Sequence, residues 1–465
     1  MLTTLLRDSR ALATLAVPLV LTQLAQVALT TTDTVMMGLL GTQELAAGGL
    51  AIVIFNQLRT MGVGLVTSVG NQIAAAAART EKAGTEAEGD HEEVRGIVRA
   101  SMAVATLAGI AGAVLMVLIG QTLTWLGQDA AVVERTRTML LALAPGLLPC
   151  LWFQAIRQFT VGMRRPQALL QITIASVAVN AGLNWVLIHG TWGLPRLGLT
   201  GIGVATSTVY FLSFIALYVS AKRDSELAPL LTLNAAKADP ATVKRLIALG
   251  VPIAATYGSE AGFFSITALM AGSFGPAALA AHTAVNQLVY IVFQVAVGLS
   301  HAASINVSRE LALGRTDDAR RIKNTALACA AAVMAVVGVA YLALPELVLR
   351  PFLDSGPGSG QALAIATQLL VVTVFLQFFD CAQNIGVGLL RGLDDTKSGF
   401  RITLIGYWAV GLPAAWLLAR PLGLDTLGIW LGLLTGLATT AVLLLRRYSA
   451  SLATRSAAPR EAAPA

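Results

Sequence analysis

Twelve stretches of mostly apolar residues follow one another through the chain, each long enough to cross a lipid bilayer. They run at about residues 11–38, 46–76, 96–120, 133–160, 167–189, 199–221, 244–271, 277–307, 321–345, 362–390, 399–419 and 422–446. A crossing helix needs roughly 20 such residues. Inside hydrocarbon every backbone N–H and C=O must be bonded within the protein, so runs of this length read as membrane helices. The chain is therefore expected to be an all-α integral membrane protein. Composition agrees, with 56% hydrophobic and 12% charged residues, where soluble domains are nearer ~25% charged. A net charge of +7 would also suit a nucleic-acid binder, but here the basic residues sit between apolar runs. No nucleic-acid partner is expected.

The basic residues set the orientation. Of the 32 lysines and arginines, 26 fall in alternate connections and the two ends, five in the opposite connections, and Arg59 within a span. Lysine and arginine stay on the cytoplasmic side, so both termini are expected in the cytoplasm. The apolar run after Arg10 is too long for a signal peptide and contains Asp33, so it is taken as a mature first span. The longest polar connection, 223–243, divides the chain into an expected six-helix lobe at 1–222 and another at 244–447. It ends in Asp239-Pro240, a helix cap followed by proline at the first helical position. Thr85–Val94 and the run from Gly314 both offer acidic or hydroxyl caps. The tail at 448–465 is rich in Ala, Pro, Arg and Glu and is expected to be disordered.

The two halves are copies. Val17–Gly41, VPLVLTQLAQVALTTTDTVMMGLLG, aligns without a gap on Val251–Gly275, VPIAATYGSEAGFFSITALMAGSFG, at an offset of 234. Phe153–Gly162, FQAIRQFTVG, resembles Phe379–Gly388, FDCAQNIGVG, at an offset of 226. Six helices per copy make the repeat parallel, an arrangement that puts binding sites near the bilayer midplane.

Three carboxylates lie deep in spans: Asp33, Glu260 and Asp380. An acid at the bilayer centre costs roughly 2.5–3.5 kcal/mol and marks function by default. The plainer reading is a protonated acid bonded between helices, but Arg59 is the one deep cation the sequence offers three acids. Arg59 itself reads equally as a partner of Asp33, a pore residue or a snorkelling side chain. In the repeat Asp33 aligns with Thr267, Glu260 with Gln26 and Asp380 with Gln154, so no acid is duplicated. Glu260 and Asp380 share the second half and are the expected main cation site, with sodium or a proton as occupant. The expected supporting polar set is Tyr257, Gln26, Asn180, Asn184, Asn286, Gln287 and Asn384. Asn180 and Asn184 are four apart and share a helix face, as Asp380 and Asn384 do. About half of such amides only join helices. Cys150, Cys329 and Cys381 show no metal or disulfide spacing. His91, His189, His282 and His301 show no ligand spacing, and the last three read as packing or interfacial residues. No G-x-x-x-x-G-K-[ST] run appears, so neither ATP nor any other cofactor is expected.

These pieces together resemble the multidrug and toxic compound extrusion (MATE) transporters, and the NorM branch in particular. The resemblance covers about 10–447 and is carried by Pro18–Gly38, Gly162–Gly190, Gly250–Ser265, Phe378–Gly392 and the Gly-Leu-Pro at 411–413. It implies a V-shaped fold of two six-helix lobes in a bacterial inner membrane. It further implies a monomeric antiporter that exports cationic, amphipathic small molecules by alternating access, driven by Na⁺ or H⁺. The family's acids in the first, seventh and tenth helices carry over onto Asp33, Glu260 and Asp380. The DinF branch relies on aspartates in the first and fifth helices; Asn184 stands where the fifth-helix acid would be needed. A lipid-linked or other amphipathic metabolite is the alternative cargo, disfavoured by the shortage of deep basic residues. A membrane-embedded enzyme would need an interfacial catalytic cluster, and none is visible.

Overall fold

A computed structural model describes residues 2–84, 91–353 and 356–457. Among the described residues, twelve helices are long and apolar enough to span a membrane. They are α1 (Leu2–Leu40), α2 (Thr42–Ala83), α3 (Glu92–Thr122), α4 (Ala130–Gly162), α5 (Gln167–His189), α6 (Leu199–Arg223), α7 (Pro240–Gly272), α8 (Pro276–Ala312), α9 (Thr316–Ala343), α10 (Ser359–Gly392), α11 (Thr396–Ala419) and α12 (Asp425–Ala457). The repeat is visible in the backbone. Gly41 and Gly275, 234 apart, have φ of 136° and 110° and precede the starts of α2 and α8. Only glycine adopts that conformation without strain.

The described chain forms two compact units. The first runs from Leu21 to Gly258; the second joins the residues up to Val20 with those from Ser259 onward. The division falls inside α1 and α7, whereas the sequence divides its halves at the 223–243 linker. Close approaches of glycine explain this. In the second unit a Cβ on Gly298 of α8 would stand 2.9 Å from the Val20 nitrogen of α1. In the first, a Cβ on Gly64 of α2 would stand 2.8 Å from Ala254 Cα of α7, and one on Gly250 2.3 Å from Leu65 O.

Each unit is built around one buried helix. In the first, α4 packs against α2, α3 and α6; in the second, α10 packs against α8, α9 and α12. These central helices are repeat partners and are held by equivalent contacts. A Cβ on Gly162 would meet Gly70 O at 2.7 Å, and one on Gly388 would meet Ser300 O at 2.6 Å. Backbone cannot yield as a side chain can, and overpacking costs about 1–3 kcal/mol. Gly388→Leu is expected to lower the thermal midpoint in detergent by that measure. Gly182→Ala, which meets nothing within 4 Å, is expected to leave it level or higher. The outer faces are apolar: Leu107, Ile110, Val114 and Leu118 of α3 and Val336, Val339 and Leu342 of α9 are exposed. In a bilayer these side chains meet lipid.

Two expectations are corrected in the connections. The C-terminal segment is helical to Ala457, where disorder was expected from 448. Tyr448 is buried and donates to Ala319 O at 2.8 Å, Leu452 is buried, and Arg455 donates to Leu393 O at 3.1 Å. The rest of the expected tail lies outside the described residues. Neither α3 nor α9 has a side-chain cap; Glu92, Glu93, Asp317 and Asp318 stand in the first turns instead, where their charge complements the helix dipole. The rest of the expected cap run at 85–90 lies outside the described residues. The helix after the linker does begin at Pro240, and Asp239 accepts from Ala241 N and Thr242 Oγ1.

The linker is anchored by charge. Asp224 accepts from Glu226 N at 2.9 Å and Arg165 Nε at 2.8 Å. Burial pushes its carboxyl up, but these donors and the Arg165 charge outweigh burial and hold it below the ordinary range. A carboxylate held low stabilises the fold above its unfolded value of about 3.9, and that contribution is lost as pH falls through the lower folded value. Asp224→Asn is expected to lower the thermal midpoint near neutrality, with the difference from wild type vanishing in acid.

Candidate functional site

Each unit contains a buried carboxylate cluster. In the first, Asp33 lies on the inner face of α1, 4% exposed. Asn180 and Asn184, one turn apart on α5, donate to its Oδ1 at 2.7 and 2.9 Å. Thr206 of α6 donates to Oδ2 at 3.0 Å. All four side chains are buried. The i, i+4 spacing on α5 is what aims both amides at one oxygen. The amide oxygens of Asn180 and Asn184 have no hydrogen-bond partner. The arrangement is a carboxylate held by three neutral donors, with two further oxygens beside it. Such a group can take up a proton or a small cation without breaking an ion pair. Gln26, about two helical turns before Asp33, hydrogen-bonds the buried Tyr210.

In the second unit Asp380 lies midway along α10, 7% exposed. Asn384 donates to its carbonyl at 2.9 Å and to Oδ1 at 3.2 Å, and Gln383 donates to Oδ1 at 3.4 Å. Glu260 of α7 is within electrostatic range of Asp380. Tyr407 of α11 makes a long 3.5 Å contact from its hydroxyl to Glu260 Oε1. Tyr407 belongs to a π-helical turn, Ile405–Gly411, a local widening that recurs at functional sites. Phe263 stacks on its ring with centroids 4.8 Å apart, and Trp408 donates to Ser259 Oγ at 2.7 Å. Two carboxylates in range of each other repel when both are charged, so a shared proton or cation is favoured.

The geometry brings together Asp33 with Asn180 and Asn184, a pairing the sequence does not anticipate, and Asp380 with Asn384, with Glu260 in electrostatic range of Asp380. Asn286 and Gln287 of α8 are half-buried and join neither cluster. Tyr257 is in electrostatic contact with Arg157. Three contributors escape sequence reading. Thr206 is one of many membrane threonines, Tyr407 is placed by a π turn, and Arg157 resembles an orientation-setting residue. Arg157 lies inside α4, 5% exposed, so the expectation of Arg59 as the one deep cation is corrected. Asp33's partners are neutral; Arg59 Nε donates to Asn56 Oδ1 at 3.4 Å. His282 fits a packing role, its Nδ1 accepting from Trp430 Nε1 at 3.1 Å. Among the described residues no group of three or more His, Cys, Asp and Glu is placed to hold a metal.

Two helical repeats, each with a carboxylate cluster buried at span depth, define a multi-pass membrane protein of the transporter class. Comparison with known proteins makes the class specific. The MatE family model matches residues 18–186 and 252–417, one segment in each repeat, and the chain belongs to the MatE family. It is 34% identical over 438 residues to "Probable multidrug resistance protein NorM" of Pseudomonas aeruginosa, covering 94% of this chain and 88% of that one. It is 36% identical over 452 residues to the protein of the same description from Bradyrhizobium diazoefficiens, covering 93% and 91%. Among solved structures it shares the fold of an outward-facing multidrug resistance MATE family transporter, at a TM-score of 0.85 and 16% identity over 97% of this chain and 98% of that one.

Proposed function

We propose that this protein is a cation-coupled antiporter that exports cationic, amphipathic small molecules by alternating access, with Na⁺ or H⁺ as coupling ion. The observation that carries the reading is the Asp33 carboxylate, buried at span depth and held by three neutral donors. Three donors aimed at the carboxylate favour its charged form against burial, so it can release a proton and meet a cation, whereas an acid that only joined helices would need to do neither. Glu260 and Asp380 form a second exchangeable pair, and either a proton or sodium suits the oxygen-rich surroundings of both clusters. The relatives' descriptions as multidrug resistance proteins support this cargo class. The reading places the protein in a bacterial inner membrane as a monomer with both termini cytoplasmic, using no ATP and no bound cofactor.

A bacterial strain stripped of its own efflux pumps provides the test. Cells expressing the protein are expected to accumulate less of a fluorescent organic cation, and an ionophore that dissipates the coupling gradient is expected to abolish the difference. Equal accumulation with and without expression, in cells where the protein is present in the membrane, contradicts the reading.

A further inference from the structure

We propose that the first unit also carries an anion seat at Arg157, with Arg59 as its second positive charge, that receives a single carboxylate or a small inorganic anion. Arg157 is 95% withdrawn from solvent within α4. Its Nη1 donates to Gln154 Oε1 at 3.3 Å, and its buried Nη2 has no acceptor. Among the described residues no carboxylate pairs with it. The buried acid of this unit, Asp33, has its oxygens bonded by Asn180, Asn184 and Thr206. The groups in electrostatic contact with Arg157 are Arg59 of α2 and Tyr257 of α7. Arg59 adds a second guanidinium where a structural arginine would have a counter-charge.

A guanidinium keeps its charge in proteins and presents a planar fork matched to a carboxylate. Leaving it buried without an anion is costly. The repeat shows what the position is for. At the offset of 226, Gln154 aligns with Asp380 and Arg157 with Gln383. Both pairs make the same i, i+3 hydrogen bond, Arg157 to Gln154 in one unit and Gln383 to Asp380 in the other. Glu260 likewise aligns with Gln26. The acids of the second unit are amides in the first, and the amide beside them is an arginine. The same scaffold position that offers negative charge in one repeat offers positive charge in the other. Two sources supply the anion: the carboxylate of a zwitterionic cargo, which rests on the export reading above, or a free ion such as chloride.

A zwitterionic rhodamine acid and its methyl ester, a plain cation, separate the sources. Binding is followed by fluorescence anisotropy on the full chain in lipid nanodiscs, for wild type and Arg157→Gln. Loss of a charge-assisted bond pair is expected to weaken the acid about tenfold in Arg157→Gln while ester binding is unchanged. If acid and ester respond alike, but chloride in place of gluconate raises the thermal midpoint of wild type and not of Arg157→Gln, the seat holds a free anion. If neither the acid nor chloride distinguishes the two proteins, the proposal is overturned. Should Arg157→Gln not purify as a single species, Arg157→Lys takes its place. It is expected to lose most of the acid's advantage where the seat takes a carboxylate and to weaken the chloride effect where it takes a free ion, and a variant that changes neither overturns the seat. Failure of the ester to bind wild type contradicts the export reading instead, and leaves the chloride comparison standing.

Discussion

Asp33→Asn is expected to fold normally and to lower gradient-driven efflux about 10–100-fold, the range a coupling free energy of 1–3 kcal/mol commands. Folding survives because the substitution keeps size and shape, and because the site holds spare acceptors. An amide at position 33 turns a donor toward Asn180 and Asn184, which now donate to it. Rotating either side-chain amide presents its oxygen, and both oxygens are without partners. What is lost is the charge that a coupling cation would meet. Thr206→Val, which removes one donor at 3.0 Å, is expected to slow efflux by less. Efflux by Asp33→Asn at the wild-type rate, in liposomes with equal protein content, would remove Asp33 from the coupling mechanism.

The second large effect concerns the other unit. Asp380→Asn and Glu260→Gln are each expected to reduce efflux on a similar scale, and the double variant to fall little below the more severe single one. Groups that act as a unit are not additive, since removing either ends the shared function. The expectation follows from their electrostatic contact and from Tyr407, which reaches Glu260 from the π turn. Tyr407→Phe keeps the stack on Phe263 and removes only the hydroxyl, so it is expected to shift the ion dependence of efflux while the thermal midpoint holds. Wild-type transport by both single acid variants would show the pair to be structural.

Much of this was legible in the residues. The twelve helices follow from hydrophobic run length, because a bilayer permits few alternatives. Asp33, Glu260 and Asp380 stand out because a carboxylate in such a run needs a reason. Asn180 and Asn184 follow from spacing, since a turn of helix aligns them. The unit boundary was not legible: nothing in the apolar residues of α1 or α7 says which half of a helix packs with which neighbours. Thr206 was hidden because membrane threonines commonly bond their own helix, as Thr208 bonds Val204 O at 2.8 Å. Tyr407 was hidden because a π turn rotates side chains off the 3.6-residue register. Arg157 was hidden by its place near a helix end, where arginine ordinarily marks the cytoplasmic face.

The central claim is that buried carboxylates couple ion entry to export, and reconstituted transport tests it most directly. Proteoliposomes holding the wild-type protein are given a proton gradient or a sodium gradient separately, and movement of a fluorescent organic cation against the ion flow is recorded. The account predicts transport under at least one gradient, abolished by collapsing that gradient and reduced to near background in Asp33→Asn and Asp380→Asn. Wild-type protein that moves the dye under neither gradient, or that moves it equally after both carboxylates are removed, would contradict it.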